Sequence, residues 1–469
     1  MTAVLPARPV AAAEPALPPL VGADLRVPLV TGDWVRAANL DLAASAPALR
    51  AVADHVADLL PHHASVHRGA GYASQVCTAV VERARDAVAA FVGARDDDVT
   101  VFTRNTTDAL NLLAGCVPGP VLRLDLEHHA TLLAWRSGRV LPAAPTVEQT
   151  LDRLADALAA EPFALVAVTG ASNVTGEVLP LRRIAELAHA AGARVVVDAA
   201  QLAPHRRVDL AATGVDHLVL SGHKLYAPYG AGALVGPRDW LDAAPPYLAG
   251  GGAVSAVGGP DAAGTTPTTW APAPHRHEAG TPNVLGVAAL AQACRVLDGV
   301  LDTAAPAHER ALLDRLTAGL AGLPALRQLR IWPDAPDRVA VVSFVVDGVA
   351  PGLVAAYLSA EHGIAVRDGK FCAHPLVDRV AGPGGAVRAS LGLGSTAEDV
   401  DRLVDALREL VGTGPRWDYA VVDGRWAPVP DPRELDPFGF GAARPVPGCT
   451  PAASGADRSG PVTRSTRST

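Results

Sequence analysis

Between residues 163 and 236 the chain alternates short apolar runs with a helical stretch, and this alternation restricts the fold more than any other feature. FALVAVT (163–169), ARVVVDAA (193–200) and DHLVLSG (216–222) have the length and β-branched content of strands buried on both faces, and GAGALVG (230–236) reads as a fourth. LRRIAELAHAAG (181–192) reads as a helix between the first two. Strands and helices in this order predict an α/β sheet, at least partly parallel, with helices on its faces. Ligands of such sheets gather at the carboxyl ends of the strands. Asp198 closes one predicted strand, and Ser221, His223 and Lys224 follow another.

The flanking sequence extends this frame. Residues 75–92 carry apolar positions at helical spacing, with Ser74 as the expected N-cap and Gly93 as the stop. A long apolar helix begins near Val284. A second α/β unit follows: a strand at 338–348, a helix at 352–363, a strand at 386–394 and a closing amphipathic helix at 396–411. The expected organisation is an N-terminal segment (1–35), a large domain (36–295), a smaller C-terminal domain (296–412) and an extension (413–469). Trp417, Tyr419 and Trp426 suggest that the first part of the extension packs on the body, in strand-like form. Its Pro-, Gly- and Ser-rich end is expected to be disordered from about residue 441.

Composition narrows the function classes. The net charge is −8 and the basic residues are scattered, so no tract suited to tracking phosphates of a nucleic acid is present. No apolar run approaches the ~20 residues that span a bilayer. The Ala/Pro-rich start does not read as a secretory signal. Cys77, Cys116, Cys294, Cys372 and Cys449 are widely spaced with no CxxC pair, which argues against a metal site or a disulfide framework and for a cytoplasmic protein.

Of the 40 basic residues only two are lysines, Lys224 and Lys370. Arginine replaces lysine wherever a generic cation suffices. It cannot do so where an amine must lose its proton and form an imine with a carbonyl. The stretch 195–232 places that amine, Lys224, 26 residues after Asp198. A pyridoxal 5′-phosphate (PLP) site requires such a lysine, an acid that keeps the pyridine nitrogen protonated, and neutral donors for the phosphate. Asp198, and Ser221 with His223, fit the last two.

The same residues resemble the class V aminotransferase superfamily, within it the cysteine desulfurases and selenocysteine lyases. Asp198 and Gln201 match that family's Asp-x-x-Gln, and Ser221, His223 and Lys224 match its Ser-x-His-Lys. The resemblance spans roughly residues 36–412 and implies the fold type I of PLP enzymes, with a large mainly parallel sheet domain and a smaller α/β domain. It implies that Thr106 and Thr107 of FTRNTTDALNLLA bind the phosphate, that His128 of EHHATLLAW stacks on the ring with His129 beside it, and that Asn173 and Gln201 lie near the ring hydroxyl. It further implies that Thr281 of HEAGTPN reaches the phosphate of the other subunit in a homodimer, and that Arg388 of VRASLGLGST binds the substrate carboxylate. Cys372 of VRDGKFCAHPLV stands where the family's sulfur acceptor stands, which implies conversion of cysteine, or an analogue, to alanine and a persulfide, with a sulfur-acceptor protein downstream. Lys370, two residues earlier, would lower the thiol pKa if the side chains met.

Departures surround the substrate side. Ala227 replaces a usual glycine, GGGAVS lacks the usual acid, and Lys370-Phe371 stand where two histidines are common. They keep open another PLP reaction on a specialised amino acid: a C–S lyase, an epimerase or an aminotransferase. A non-catalytic binding protein on the same fold is the reading from a different class.

Overall fold

The structure, a computed structural model, describes residues 17–441; the segment expected to be disordered from about residue 441 lies, beyond that residue, outside them. Its centre is a seven-stranded sheet: β1 (Asp98–Thr103), β2 (Val121–Leu124), β3 (Gly138–Leu141), β4 (Leu165–Thr169), β5 (Arg194–Asp198), β6 (His217–Ser221) and β7 (Gly232–Pro237), in spatial order β1-β7-β6-β5-β4-β2-β3. Five neighbouring strands, β6-β5-β4-β2-β3, run parallel; β7 is antiparallel to both β6 and β1. Every residue of β4 and β6 is buried, as two-sided helix cover requires. Alternation sorts them: Val166, Val168, Val195, Val197, Leu218 and Leu220 enter one core, while Leu165, Ala167, Val196 and Val219 enter the other.

Register brings the chemistry to one edge. Thr169 pairs with Asp198, so β4 and β5 end together, and β6 ends at Ser221 beside Gly232 of β7. Gly222 turns the chain there, and a Cβ on it would lie 2.7 Å from the Ala231 carbonyl. Ala227, one of the departures, causes no strain: it is buried, and its φ is not among the positive ones.

A second sheet of β8 (Leu326–Gln328), β9 (Val341–Val346), β10 (Arg367–Gly369) and β11 (Ala386–Ser390) is antiparallel, in order β8-β9-β11-β10. Its own core joins Val342 and Phe344 to Leu358, Leu403 and Leu407 of the helices Pro351–His362 and Ala397–Thr413. The extension begins as a hairpin, β12 (Tyr419–Val422) with β13 (Arg425–Pro428). Glu361 holds it, accepting from the backbone N–H groups of Arg416 and Trp417 and from the Tyr419 hydroxyl.

The helix expected at 75–92 starts earlier, at Tyr72, and its N-cap is Gly71. Ser74 is therefore inside the first turn, and its hydroxyl donates to the Ser65 carbonyl at 2.8 Å instead of capping the helix. The two sheets are joined through Glu177, which is fully buried. Its carboxylate accepts from Arg330 Nε at 2.6 Å, Thr175 Oγ1 at 2.6 Å and the Ile331 backbone N–H at 3.0 Å. Removing a buried carboxylate orphans all of these donors. Glu177→Ala is expected to cost about 3 kcal/mol of stability, measured by urea unfolding; a loss below about 1 kcal/mol would show that the pair behaves as a surface one.

Candidate active site

One cavity of about 240 Å³ opens at the carboxyl edge of the large sheet and is closed on its far side by the second. Among its walls are eleven residues singled out from the sequence: Thr106 and Thr107, His128, Asn173, Asp198 and Gln201, Ser221, His223 and Lys224, Cys372 and Arg388. Thr281 is not among them. It is exposed, in the turn before the helix Val284–Asp298.

Asp198 ends β5 and is 5% exposed. Its Oδ1 accepts from the Ala200 backbone N–H at 3.0 Å and its Oδ2 from Thr131 Oγ1 at 3.0 Å. Burial raises its pKa; the hydrogen bonds and the Lys224 charge oppose the rise. Lys224 follows β6 in the turn Ser221–Ala227. Burial lowers its pKa to about 8, against the opposing pull of Asp198. The cavity thus holds an acid that needs a cationic partner and an amine that readily loses its proton.

The helix Thr106–Ala114 opens toward the same edge. Its N-cap is Asn105, whose side chain accepts from Asp108 N–H, so Thr106 and Thr107 are the first two helical residues. Ser221 Oγ takes the Thr106 N–H at 2.8 Å and lies 2.9 Å from Thr106 Oγ1, which fastens the helix start to the end of β6. A helix start with hydroxyls around it is suited to an anion. His223 beside it is held neutral by burial and by the Lys224 charge. His128 caps the short helix His129–Leu133, its Nδ1 accepting from Ala130 N–H at 3.0 Å. Burial, then the charges of Lys224, His129 and Arg388, lower its pKa to about 3. The ring is neutral, with its proton on Nε2.

Arg388, in β11, is 3% exposed. It donates to the Asn173 carbonyl at 2.9 Å and to Asp41 Oδ1 at 3.0 Å, and its guanidinium carbon lies 5.1 Å from the centre of the Phe371 ring. Its Nε is buried without a partner. Phe371 and Cys372 both adopt left-handed backbone, φ 50° and 54°, which non-glycine residues seldom take. Two hydrogen bonds hold that bend: Asn173 Nδ2 to the Phe371 carbonyl at 2.8 Å, and His129 N–H to the Cys372 carbonyl at 2.7 Å. Lys370 forms its ion pair with Asp378, at 2.6 Å, so its charge is matched there.

Three site contacts escape a reading of the sequence: Thr131 on Asp198, Asp41 on Arg388, and Phe371 under the same guanidinium. Asp41 lies 347 residues from Arg388, and no spacing rule connects them. Thr131 sits within the EHHATLLAW block and was the more accessible of the three.

Residues 38–403 match the family model of aminotransferase class-V, and the chain belongs to that family. The family is one of PLP-dependent enzymes. A cysteine desulfurase of Dickeya dadantii is 38% identical over 389 residues, covering 80% of this chain and 92% of that one. A Mycobacterium leprae protein named probable cysteine desulfurase 2 is 38% identical over 74% of this chain and 84% of its own length. Among solved structures, the apo cysteine desulfurase of Thermococcus onnurineus superposes with a TM-score of 0.72 at 31% identity, covering 80% of this chain and 94% of that one. The Escherichia coli cysteine desulfurase in an S-sulfonic acid form gives 0.69 at 33% identity, with the same coverage.

The cavity fits the family's cofactor. Asp198 is buried with no Lys or Arg ion pair among the described residues, and Gln201 Oε1 is buried without a hydrogen-bond partner. Both are polar groups that a heteroaromatic ring with a charged nitrogen and a hydroxyl would satisfy. In cofactor-stripped protein, Lys224 should react with trinitrobenzenesulfonate at a rate that rises with pH as the ammonium loses its proton, half-maximal near pH 8. Peptide mapping isolates its signal; a midpoint of ~10 or above, as for an ordinary lysine, would contradict the burial of the amine.

Proposed function

We propose that the protein is a cytoplasmic, PLP-dependent cysteine desulfurase that works as a homodimer. The observation carrying this reading is that Asp198, Lys224, Arg388 and Cys372 share one cavity. PLP, when bound, supplies an electron sink for charge developing at the substrate Cα. Lys224 would hold it covalently through its amine, and the same amine is placed to move the substrate Cα proton. Asp198 keeps the ring nitrogen protonated, and Thr131 and the Ala200 N–H hold that carboxylate in place. His128, neutral, stacks on the ring, and Gln201 with Asn173 lies near the ring hydroxyl. Thr106, Thr107, Ser221 and His223 bind the phosphate, and Thr281 of a second subunit completes that site.

Arg388 orients the substrate through its α-carboxylate, which a planar guanidinium binds along two parallel N–H bonds. Asp41 already occupies one of its nitrogens, so Asp41 must yield or share when the substrate enters. The Cys372 thiolate attacks the substrate sulfur. An S–S bond forms as the substrate Cβ–S bond breaks; the bonding pair goes to carbon, which is protonated and leaves as alanine. The persulfide on Cys372 then passes to an acceptor protein.

Cys372→Ser decides between this chemistry and β-elimination by a C–S lyase. A serine hydroxyl is barely ionised and a poor sulfur nucleophile. The variant is expected to bind PLP and to show the wild-type spectral change with cysteine, while alanine formation falls at least a hundredfold, roughly the loss of a reacting group. Wild-type protein exposed to cysteine without reductant should gain the mass of one sulfur on the Cys372 peptide. Pyruvate and ammonia formed at full rate by Cys372→Ser would establish the lyase. For the assembly, Thr281→Ala should weaken PLP binding in a dimer that sedimentation shows intact; a fully active monomer at assay concentration would remove Thr281 from the site.

A further inference from the structure

Gln201 is the only cavity residue whose side chain is reached by a chain of buried titratable groups running away from the site among the described residues. Its Nε2 lies 3.4 Å from His205 Nε2, and His205 Nδ1 lies 2.6 Å from Glu309 Oε2. The three are 3%, 6% and 7% exposed. Glu309 belongs to the helix Ala304–Ala321, beyond the large sheet. Its other oxygen accepts from Arg206 Nη1 at 2.9 Å, and Arg206 also pairs with Asp337 at 3.2 Å.

The donor and acceptor roles follow from one end. Burial works against the charge of Glu309, but His205 and Arg206 outweigh it and keep the carboxyl ionised. An ionised carboxylate only accepts, so His205 Nδ1 carries a proton. The Gln201 amide NH2 faces His205 Nε2, which accepts from it, and the ring carries its proton on Nδ1 toward Glu309. The Gln201 oxygen is left on the other side. It is the buried acceptor without a partner, on a residue that lines the cavity. An unsupported primary amide presents either end with little preference; this one is fixed by its neighbour.

We infer that His205 and Glu309 are positioning residues for the cofactor: together they fix which end of the Gln201 amide meets the ring hydroxyl. The inference rests on the cofactor reading of the cavity. It also joins a helix outside the large sheet to the electronics of the site. Glu309→Gln removes the obligatory acceptor and lets the His205 tautomer invert. His205→Leu removes the support altogether. His205→Gln keeps a donor for Glu309 and an acceptor for Gln201.

The test uses PLP-loaded protein and the pH midpoint of its visible absorption band, which reports protonation around the bound ring whether or not substrate turns over. Gln201→Leu is expected to displace that midpoint by about 0.5–1 unit, the scale of one hydrogen bond. Glu309→Gln and His205→Leu should each produce a similar displacement, and neither should add to it in combination with Gln201→Leu. His205→Gln should return the midpoint to the wild-type value. Cofactor-loaded single variants with the wild-type midpoint, or displacements that add in full to that of Gln201→Leu, would overturn the inference, because a merely structural role moves melting temperature and leaves the coupling absent. Glu309→Gln is close to isosteric and keeps the test alive if His205→Leu does not fold. A wild-type protein with no visible band after incubation with PLP fails the cofactor reading itself, a result distinct from all of these.

Discussion

A carboxylate and an amine, both taken out of water at the end of a parallel sheet, set the terms for everything around them. Burying a charge without a partner costs several kcal/mol, so such a group is matched, neutralised or used. Asp198 is matched in part, by Thr131 and the Ala200 N–H, and its pKa still rises because of burial. Lys224 responds in the opposite direction, toward a neutral amine. A cationic pyridine nitrogen next to Asp198 and an imine at Lys224 would relieve both conditions at once. The site is a pair of electrostatic deficits that one small molecule can fill, which is a stronger reason to expect that molecule than the presence of either residue.

The sheet explains why the deficits meet. Parallel strands β4 and β5 end level, β6 runs on past Val219, the partner of Asp198, and each carries a polar residue at its last position: Thr169, Asp198 and Ser221. Inside the strands every position is buried and apolar except the ends and His217, because helices cover both faces. Polarity is therefore confined to the edge by packing. The second sheet supplies the opposite wall through β10 and β11, which lead into Cys372 and carry Arg388. Glu177 and Asn173, in one turn after β4, tie the two walls together: Glu177 to the backbone around Ile331, Asn173 to Phe371 and Arg388.

How far the sequence reveals this depends on the range of the interaction. Buried strands are legible because two-sided burial writes a continuous apolar run, as in β4, β5 and β6. β2 and β3 are not: each has four residues, each contains an arginine, and β3 is largely exposed at the sheet edge, so neither carries the burial signature. The cavity residues lie in compact blocks, and blocks can be recognised. Their supports are dispersed. Asp41 reaches Arg388 across 347 positions, and Glu309 reaches His205 across 104. Ser74 shows the local failure: a good capping residue lost the N-cap to Gly71 because Ser65 offered its hydroxyl a carbonyl.

The loop around Cys372 is where local rule and tertiary structure conflict most. Two successive non-glycine residues in left-handed backbone cost of order 1–3 kcal/mol each, and such strain persists only where the surroundings enforce it. Here the enforcement is visible: the Phe371 carbonyl is held by Asn173, the Cys372 carbonyl by His129, and the Phe371 ring by the guanidinium of Arg388. Each of these three residues belongs to a block already tied to the cavity. The bend therefore forms only when the cavity is assembled, and the thiol takes its place as a consequence of the same contacts that set Asn173 and Arg388. Lys370 pairs with Asp378, and the charges of Lys224 and Arg388 both interact with the thiol. The departure from two histidines to Lys370-Phe371 thus puts an aromatic face against the Arg388 guanidinium.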